Sequence, residues 1–266
     1  MGLGLLYNFT ALVALVPASL VHLRPRRERD TVYWSVLGVA VAGSLSWTFL
    51  LLRDAWHTGL AVALWVTIAA TLVIFIVVAA VSAQAWRLTP LLLPYLLILG
   101  VIATIWSQAP EQPLPADLPS GWFEVHISFS VLAYALFTIA AVAGLGVFLQ
   151  EWALKRKRPG ALTRLLPSFA DAEDLQARLL VASEVILGAG IVTGIATQYA
   201  EDGSLVSFEH KTLFALLAFV VIGLLLGADR LGGVGGRRAA RVALLGYLLL
   251  TLAYPGVKFV TDVLLS

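Results

Sequence analysis

Residues 58–81 read TGLAVALWVTIAATLVIFIVVAAV, 24 positions without a charged side chain. Wound as a helix at 1.5 Å per residue, such a run reaches about 36 Å, enough to cross a hydrocarbon core of about 30 Å. Comparable apolar runs occupy about 3–22, 32–52, 88–107, 122–150, 175–198, 207–228 and 238–261. The pattern predicts an all-α, polytopic membrane bundle of about eight transmembrane helices.

The composition agrees. Of the 266 residues, 60% are hydrophobic and only 13% charged, with a mean hydropathy of +0.91. A soluble chain has roughly a quarter of its residues charged. There is no cysteine, which removes disulfide scaffolds, thiolate metal sites and thiol relays. The pI near 9.0 does not point to nucleic acid, because the few charges are separated by bilayer-length spans.

The charges instead report topology. Of the 18 basic residues, 15 fall in alternate connections: Arg24, Arg26, Arg27 and Arg29; Arg87; Lys155 to Arg158, Arg164 and Arg178; and Arg230, Arg237, Arg238 and Arg241. Cytoplasmic loops carry this excess. The opposite side has only Arg53, Lys211 and Lys258, beside Pro-rich and acidic loops such as 110–119 and 201–203. Both termini are therefore expected on the non-cytoplasmic side, in a bacterium the outer face of the inner (plasma) membrane. The first run has no basic residue before it and four arginines after it, the reverse of a secretory signal, so it reads as a retained helix.

The chain divides at the sequence level into residues 1–120 and 121–266, each with four spans. The segment 151–174 is the longest connection, first basic and then acidic, and Ser168-Phe-Ala-Asp171 fits a capping box that starts the sixth helix. Gly232-Gly233-Val234-Gly235-Gly236 has neither a preceding strand nor a following GK[ST], and reads as a tight turn. Phosphate loops, HExxH and nucleophile elbows are missing, so the chain does not read as an enzyme.

Polar residues inside lipid face the bundle or a cavity. In helix 5, His126, Ser130, Tyr134 and Thr138 recur every four residues and share a face about 120° wide. In helix 8, Tyr247, Thr251, Tyr254 and Lys258 follow an i, i+4, i+7, i+11 seam. Gly190 and Gly194 of helix 6 have the spacing that lets backbones approach closely. Glu184, the one acidic residue well inside a span, reads as a proton-relay group or as the partner of Arg178 or of a neighbouring helix. His57, His126 and His210 open helices 3, 5 and 7 on the non-cytoplasmic side, whereas His22 lies on the cytoplasmic side. Such imidazoles are either interfacial polar groups or ligands for a metal or haem iron, and two on facing helices suit a haem in a bundle.

The second half, over roughly 120–262, resembles the membrane domain of the cytochrome c assembly proteins, the haem-handling CcsA, CcmC and CcmF group, and most of all their YpjD/HemX-like branch. The resemblance rests on HISFSVLAYAL at 126–136, LKRKR at 154–158, EHKTLFALLAF at 209–219, GGRRAA at 235–240, and LLTLAYPGVKF at 249–259. It implies a non-covalent b-type haem held on the non-cytoplasmic side, with His126 and His210 as axial ligands and His57 in reserve. Trp122, Tyr134 and Tyr254 would form the aromatic and hydroxylic shell, and Lys258 would be the counter-ion for a propionate. The family's external loop is rich in tryptophan, but here none follows Trp152, which fits the HemX-like branch and a link to haem biosynthesis.

The implied function is haem handling or delivery in cytochrome c assembly, with haem, membrane lipid and other assembly components or a haem-biosynthesis enzyme as partners and no nucleic acid. The alternatives are a regulatory scaffold that engages a cytoplasmic partner through the basic loop 151–165, and a small-solute transporter using Glu184 and Lys258.

Overall fold

Apolar runs separated by charged or Gly/Pro-containing connections become separate helices in the computed structural model, which describes residues 3–24, 28–53, 57–107, 112–113, 120–203, 210–233, 235–256 and 259–260. The helices are α1 Leu3–Leu20, α2 Thr31–Leu52, α3 Leu60–Val81, α4 Thr89–Ile105, α5 Ser120–Arg156, α6 Phe169–Asp202, α7 His210–Gly232 and α8 Gly236–Thr251. Among the described residues, seven helical segments, made by α1 to α7 with short 3₁₀ turns adjoining α1 and α4, are long and apolar enough to cross a membrane. The protein is a multi-pass helical membrane protein. Many outward side chains are large and apolar, among them Phe9, Phe49, Val77, Ile98, Val185 and Leu224, a surface that needs lipid rather than water.

The eighth expected span differs. α8 has 16 residues, and Arg237, Arg238 and Arg241 occupy its opening turns, so its apolar part is shorter than a bilayer. It passes into a π-helical turn, Leu252–Gly256, where Pro255 lacks the N–H that would continue the regular ladder. His57 is also displaced from its expected place. It does not open α3 but lies three residues earlier, in a two-residue antiparallel ladder with Pro113 opposite.

The chain forms two compact units. The first contains α1 to α4 and the connection 159–167. Here α1 packs on α2 and α4, and α3 on the same two helices, around buried Leu15, Leu37, Trp65, Phe75, Leu92 and Leu96. A polar knot lies within this core. Asn8 Oδ1 accepts from Trp65 Nε1 and from Thr104 Oγ1, both at 3.1 Å.

Asp30 caps α2, its carboxylate accepting from Tyr33 N at 2.9 Å. It also receives both terminal nitrogens of Arg24, at 3.0 and 2.5 Å. The Arg24 hydrogen bond, followed by the Tyr33 amide, lowers the Asp30 carboxyl from 3.8 to about 2. A carboxylate depressed in the folded state stabilises above its unfolded pKa, and that contribution fades as pH falls from about 4 through about 2. Asn caps a helix as well as Asp does, so Asp30→Asn isolates the ion pair. Wild type is expected to melt above Asp30→Asn in detergent at pH 6, with the gap closing by about pH 2. A gap that stayed constant down the series would contradict this assignment.

The second unit contains α5 to α8. α5 packs along α6 and on α8, and α7 packs on α6 and α8. Small residues permit the approach: Ala133, Ala135, Ala140, Ala141 and Ala143 of α5 are buried, and a Cβ added to Gly246 of α8 would lie 2.6 Å from Ile222 Cδ1. α5 and α6 have 37 and 34 residues, well beyond the ~20 that lipid requires. Their charged extensions are held by local pairs. Lys155 meets Glu151 and Arg178 meets Asp174, each at i, i+4, while Ser168 Oγ accepts from Asp171 N at 3.2 Å as the capping box requires.

The basic stretch expected as a loop from 151 is therefore helical to Arg156, whose guanidinium lies 4.1 Å from the Trp152 ring centroid. α8 has no capping side chain of its own, and the Glu173 carboxylate of α6 receives the Gly236 amide instead. Gly233 and Gly236 adopt φ of 62° and 63°, the left-handed values that their turn needs.

Candidate functional site

His126 lies about 9 Å along α5 from its first residue and is half-buried against α6. Its Nδ1 is 2.8 Å from the Gly190 carbonyl oxygen. A carbonyl only accepts, so Nδ1 carries a proton, and in a neutral imidazole so oriented the lone pair is on Nε2. The same oxygen accepts from Thr193 Oγ1 at 3.0 Å. The ring lies over Gly194, where an added Cβ would stand 2.8 Å from Cε1 and 3.1 Å from Nδ1. Two glycines four residues apart thus form a seat, one by its bare Cα and the other by its carbonyl. Among the described residues no hydrogen bond to Nε2 occurs.

The two polar seams expected on α5 and α8 meet each other. Tyr134 Oη and Thr251 Oγ1 are 3.0 Å apart, Thr138 Oγ1 donates to Tyr247 Oη at 3.2 Å, and the two tyrosine rings have centroids 5.6 Å apart. Tyr134 is among the residues expected to orient an imidazole or to pack on the porphyrin, and its place bears on the first of these. It is eight residues from His126, about 12 Å further along the helix, so it ties α5 to α8 and does not orient the imidazole. The Gly190 carbonyl does that.

The other candidates fall elsewhere. His210 is the exposed first residue of α7, and no described hydrogen bond joins it to His126. Trp122 is exposed one turn before His126. The side chains of His57 and Tyr254, and Lys258 altogether, lie outside the described residues. Glu184 does not pair with Arg178, which lies six residues away, about 240° around the helix, and bonds Asp174 at 3.1 Å. Its Oε1 lies against α7, 3.1 Å from where a Gly223 Cβ would be. Among the described residues, no three His, Asp or Glu gather to hold a bare metal ion.

Apolar helices of bilayer length, a part-buried hydroxyl seam and one oriented imidazole in the second unit define a polytopic helical membrane protein. The family described as Cytochrome C assembly protein matches residues 37–265, and the chain belongs to it. It is 50% identical over 271 residues to an uncharacterized 28.8 kDa protein of Azospirillum brasilense from a nifR3-like 5′ region, covering 100% of both chains. It is 25% identical over 175 residues to the cytochrome c biogenesis protein CcsA of Chlamydomonas reinhardtii, covering 65% of this chain and 48% of that protein. It is also 25% identical over 171 residues to CcsA of a Prochlorococcus marinus strain, covering 55% of this chain and 54% of that one. The chain spans about half the length of the CcsA proteins it matches. Membership supports a role in cytochrome c biogenesis.

Proposed function

We propose that the protein binds a b-type haem on the non-cytoplasmic side of the bacterial inner membrane and handles it during cytochrome c assembly, as a binding protein and not as a catalyst. The observation that carries this reading is the His126 imidazole, whose Nδ1–H is fixed by the Gly190 carbonyl and whose Nε2 lone pair remains for iron. A ligating histidine characteristically donates its other N–H to a carbonyl or carboxylate, which sets the tautomer and raises ligand basicity. His210, at the start of α7, is the second axial ligand of the proposal, with His57 in reserve, Trp122 and Tyr254 as packing surface and Lys258 as propionate counter-ion. Bound haem would supply a redox-active iron. The chain's own residues would hold it, fix the imidazole and exclude water.

The test is an absorption spectrum of protein purified from haem-replete cells. A low-spin Soret band is expected. His126→Ala should open one coordination position, move the spectrum toward high-spin and weaken retention, while His22→Ala should do neither. Protein without a Soret band, or a His126→Ala spectrum identical to wild type, would overturn the proposal.

A further inference from the structure

The first unit carries a second feature, among the arginines expected to face the cytoplasm. The 3₁₀ turn Ala85–Leu88 precedes α4, and Arg87 reaches from it to the connection 159–167, its Nε and Nη2 donating to the carbonyls of Leu165 and Arg164 at 3.3 Å. Buried Leu166 and Pro167 secure that connection. Between these pieces is a cleft of about 170 Å³, lined by His22, Arg24, Glu28, Trp86, Arg87 and Arg164 among others.

The charges in it are unequal in freedom. Arg24 is spent on Asp30 in a bidentate pair, and Arg29 donates to the Ala79 carbonyl at 2.9 Å. The ion pairs among the described residues are Arg24–Asp30, Lys155–Glu151 and Arg178–Asp174, so Arg87 and Arg164 bring uncompensated guanidinium charge. Glu28 is the carboxylate lining the cleft, and it is exposed. Arg87 is held in place by carbonyls, which orient its guanidinium without neutralising it.

A second observation sets the depth. Tyr33 packs edge-on against Trp34 and Trp86, with centroids 5.2 and 6.0 Å away, and its hydroxyl lies 3.2 Å from Thr89 Oγ1. Amphipathic rings collect at the headgroup level of a bilayer. Leu23 and Val81, 66% and 80% exposed, continue the apolar surface beside this collar. Guanidinium groups with free N–H donors at headgroup depth, next to outward apolar side chains, match a phosphate ester attached to acyl chains.

We propose that this cleft is a binding site for the phosphate headgroup of an anionic phospholipid, with the guanidinium groups of Arg87 and Arg164 donating to the phosphate oxygens and Trp86 packing at the glycerol level. The full-length protein, reconstituted with an equimolar mixture of phosphatidylglycerol and phosphatidylcholine, then extracted and examined by native mass spectrometry, is expected to retain phosphatidylglycerol preferentially. Arg164→Gln should reduce that retention about fivefold, the factor belonging to one basic group at an anionic surface, and Arg87→Gln/Arg164→Gln should reduce it further. Lys155→Gln/Arg156→Gln, in the other unit, should leave it unchanged. Arg87 also tethers the connection, so Arg164→Gln, whose side chain makes no described hydrogen bond, decides the matter if the double variant melts early. Equal retention in Arg164→Gln and wild type would overturn the proposal. So would displacement of the lipid by millimolar inorganic phosphate or glycerol phosphate, which would assign the cleft to a soluble phosphate ester.

Discussion

Gly194→Leu is expected to abolish the seat of His126 and lower haem retention by about 10- to 100-fold, the range found when a group that orients a metal-bound histidine is removed. An added Cβ at this position already stands 2.8 Å from the imidazole Cε1. A leucine needs several further atoms in the same space, so the ring must swing away and surrender its hydrogen bond to Gly190. Gly194→Ala should give an intermediate spectrum, because the ring can yield by part of an ångström. The control is Gly227→Leu, since nothing lies within 4 Å of a Cβ at that α7 position. Haem content and spin state are read from the absorption spectrum, and melting in detergent separates a displaced ring from a disrupted helix pair. A Gly194→Leu protein with wild-type low-spin haem would remove His126 from the coordination sphere and the two glycines from the site. Because His126→Ala removes the ligand itself, the two variants should agree in spin state although only one of them changes a histidine.

Apolar length made the helices legible, because lipid thickness imposes it on every span whatever the rest of the fold does. The same criterion hid the charged end of α5. Residues 151–156 carry charge and read as part of the connection, but the pair at i, i+4 carries α5 through them, whereas the capping box at Ser168 already marked the charged start of α6, which the Asp171 amide and the Arg178–Asp174 pair hold. α8 is the less regular case. Its apolar tail, joined in sequence to 257–261, reads as a span, whereas three arginines shorten the apolar part at one end and Pro255 diverts the backbone at the other.

The seams of α5 and α8 were legible from spacing alone, since a polar side chain in lipid must find a partner and regular spacing shows which face holds it. That Tyr134 would meet Thr251, and Thr138 would meet Tyr247, needed coordinates. The Gly190 carbonyl left no mark at all. Every residue has a carbonyl, and a Gly-xxx-Gly pair looks the same whether it receives a neighbouring backbone or an imidazole. Ordinary packing was the natural reading of these glycines, and the structure gives them a second task.

Asn8 was likewise unmarked, a single amide in an apolar run, yet it connects three helices of the first unit. Its side chain is 1% exposed and Trp65 is fully buried, so the indole N–H has no route to water if its acceptor is lost. Asn8→Leu keeps the branched outline and the number of heavy atoms and removes the acceptor. Thr104 is protected, because its hydroxyl also reaches the Gly100 carbonyl at 2.7 Å, so the damage falls on Trp65. An orphaned buried donor costs about 1–3 kcal/mol in water-soluble proteins, while polar contacts between membrane helices have measured about 0.6 and at most about 1.7 kcal/mol. About 1–2 kcal/mol is therefore expected, seen as a lower midpoint in denaturant titration of the purified protein. Removing both partners leaves no orphan, so Asn8→Leu should cost markedly less in a Trp65→Phe background than in wild type. Strict additivity of the two variants would show that the amide and the indole are merely adjacent, and that the first unit owes its packing to shape alone.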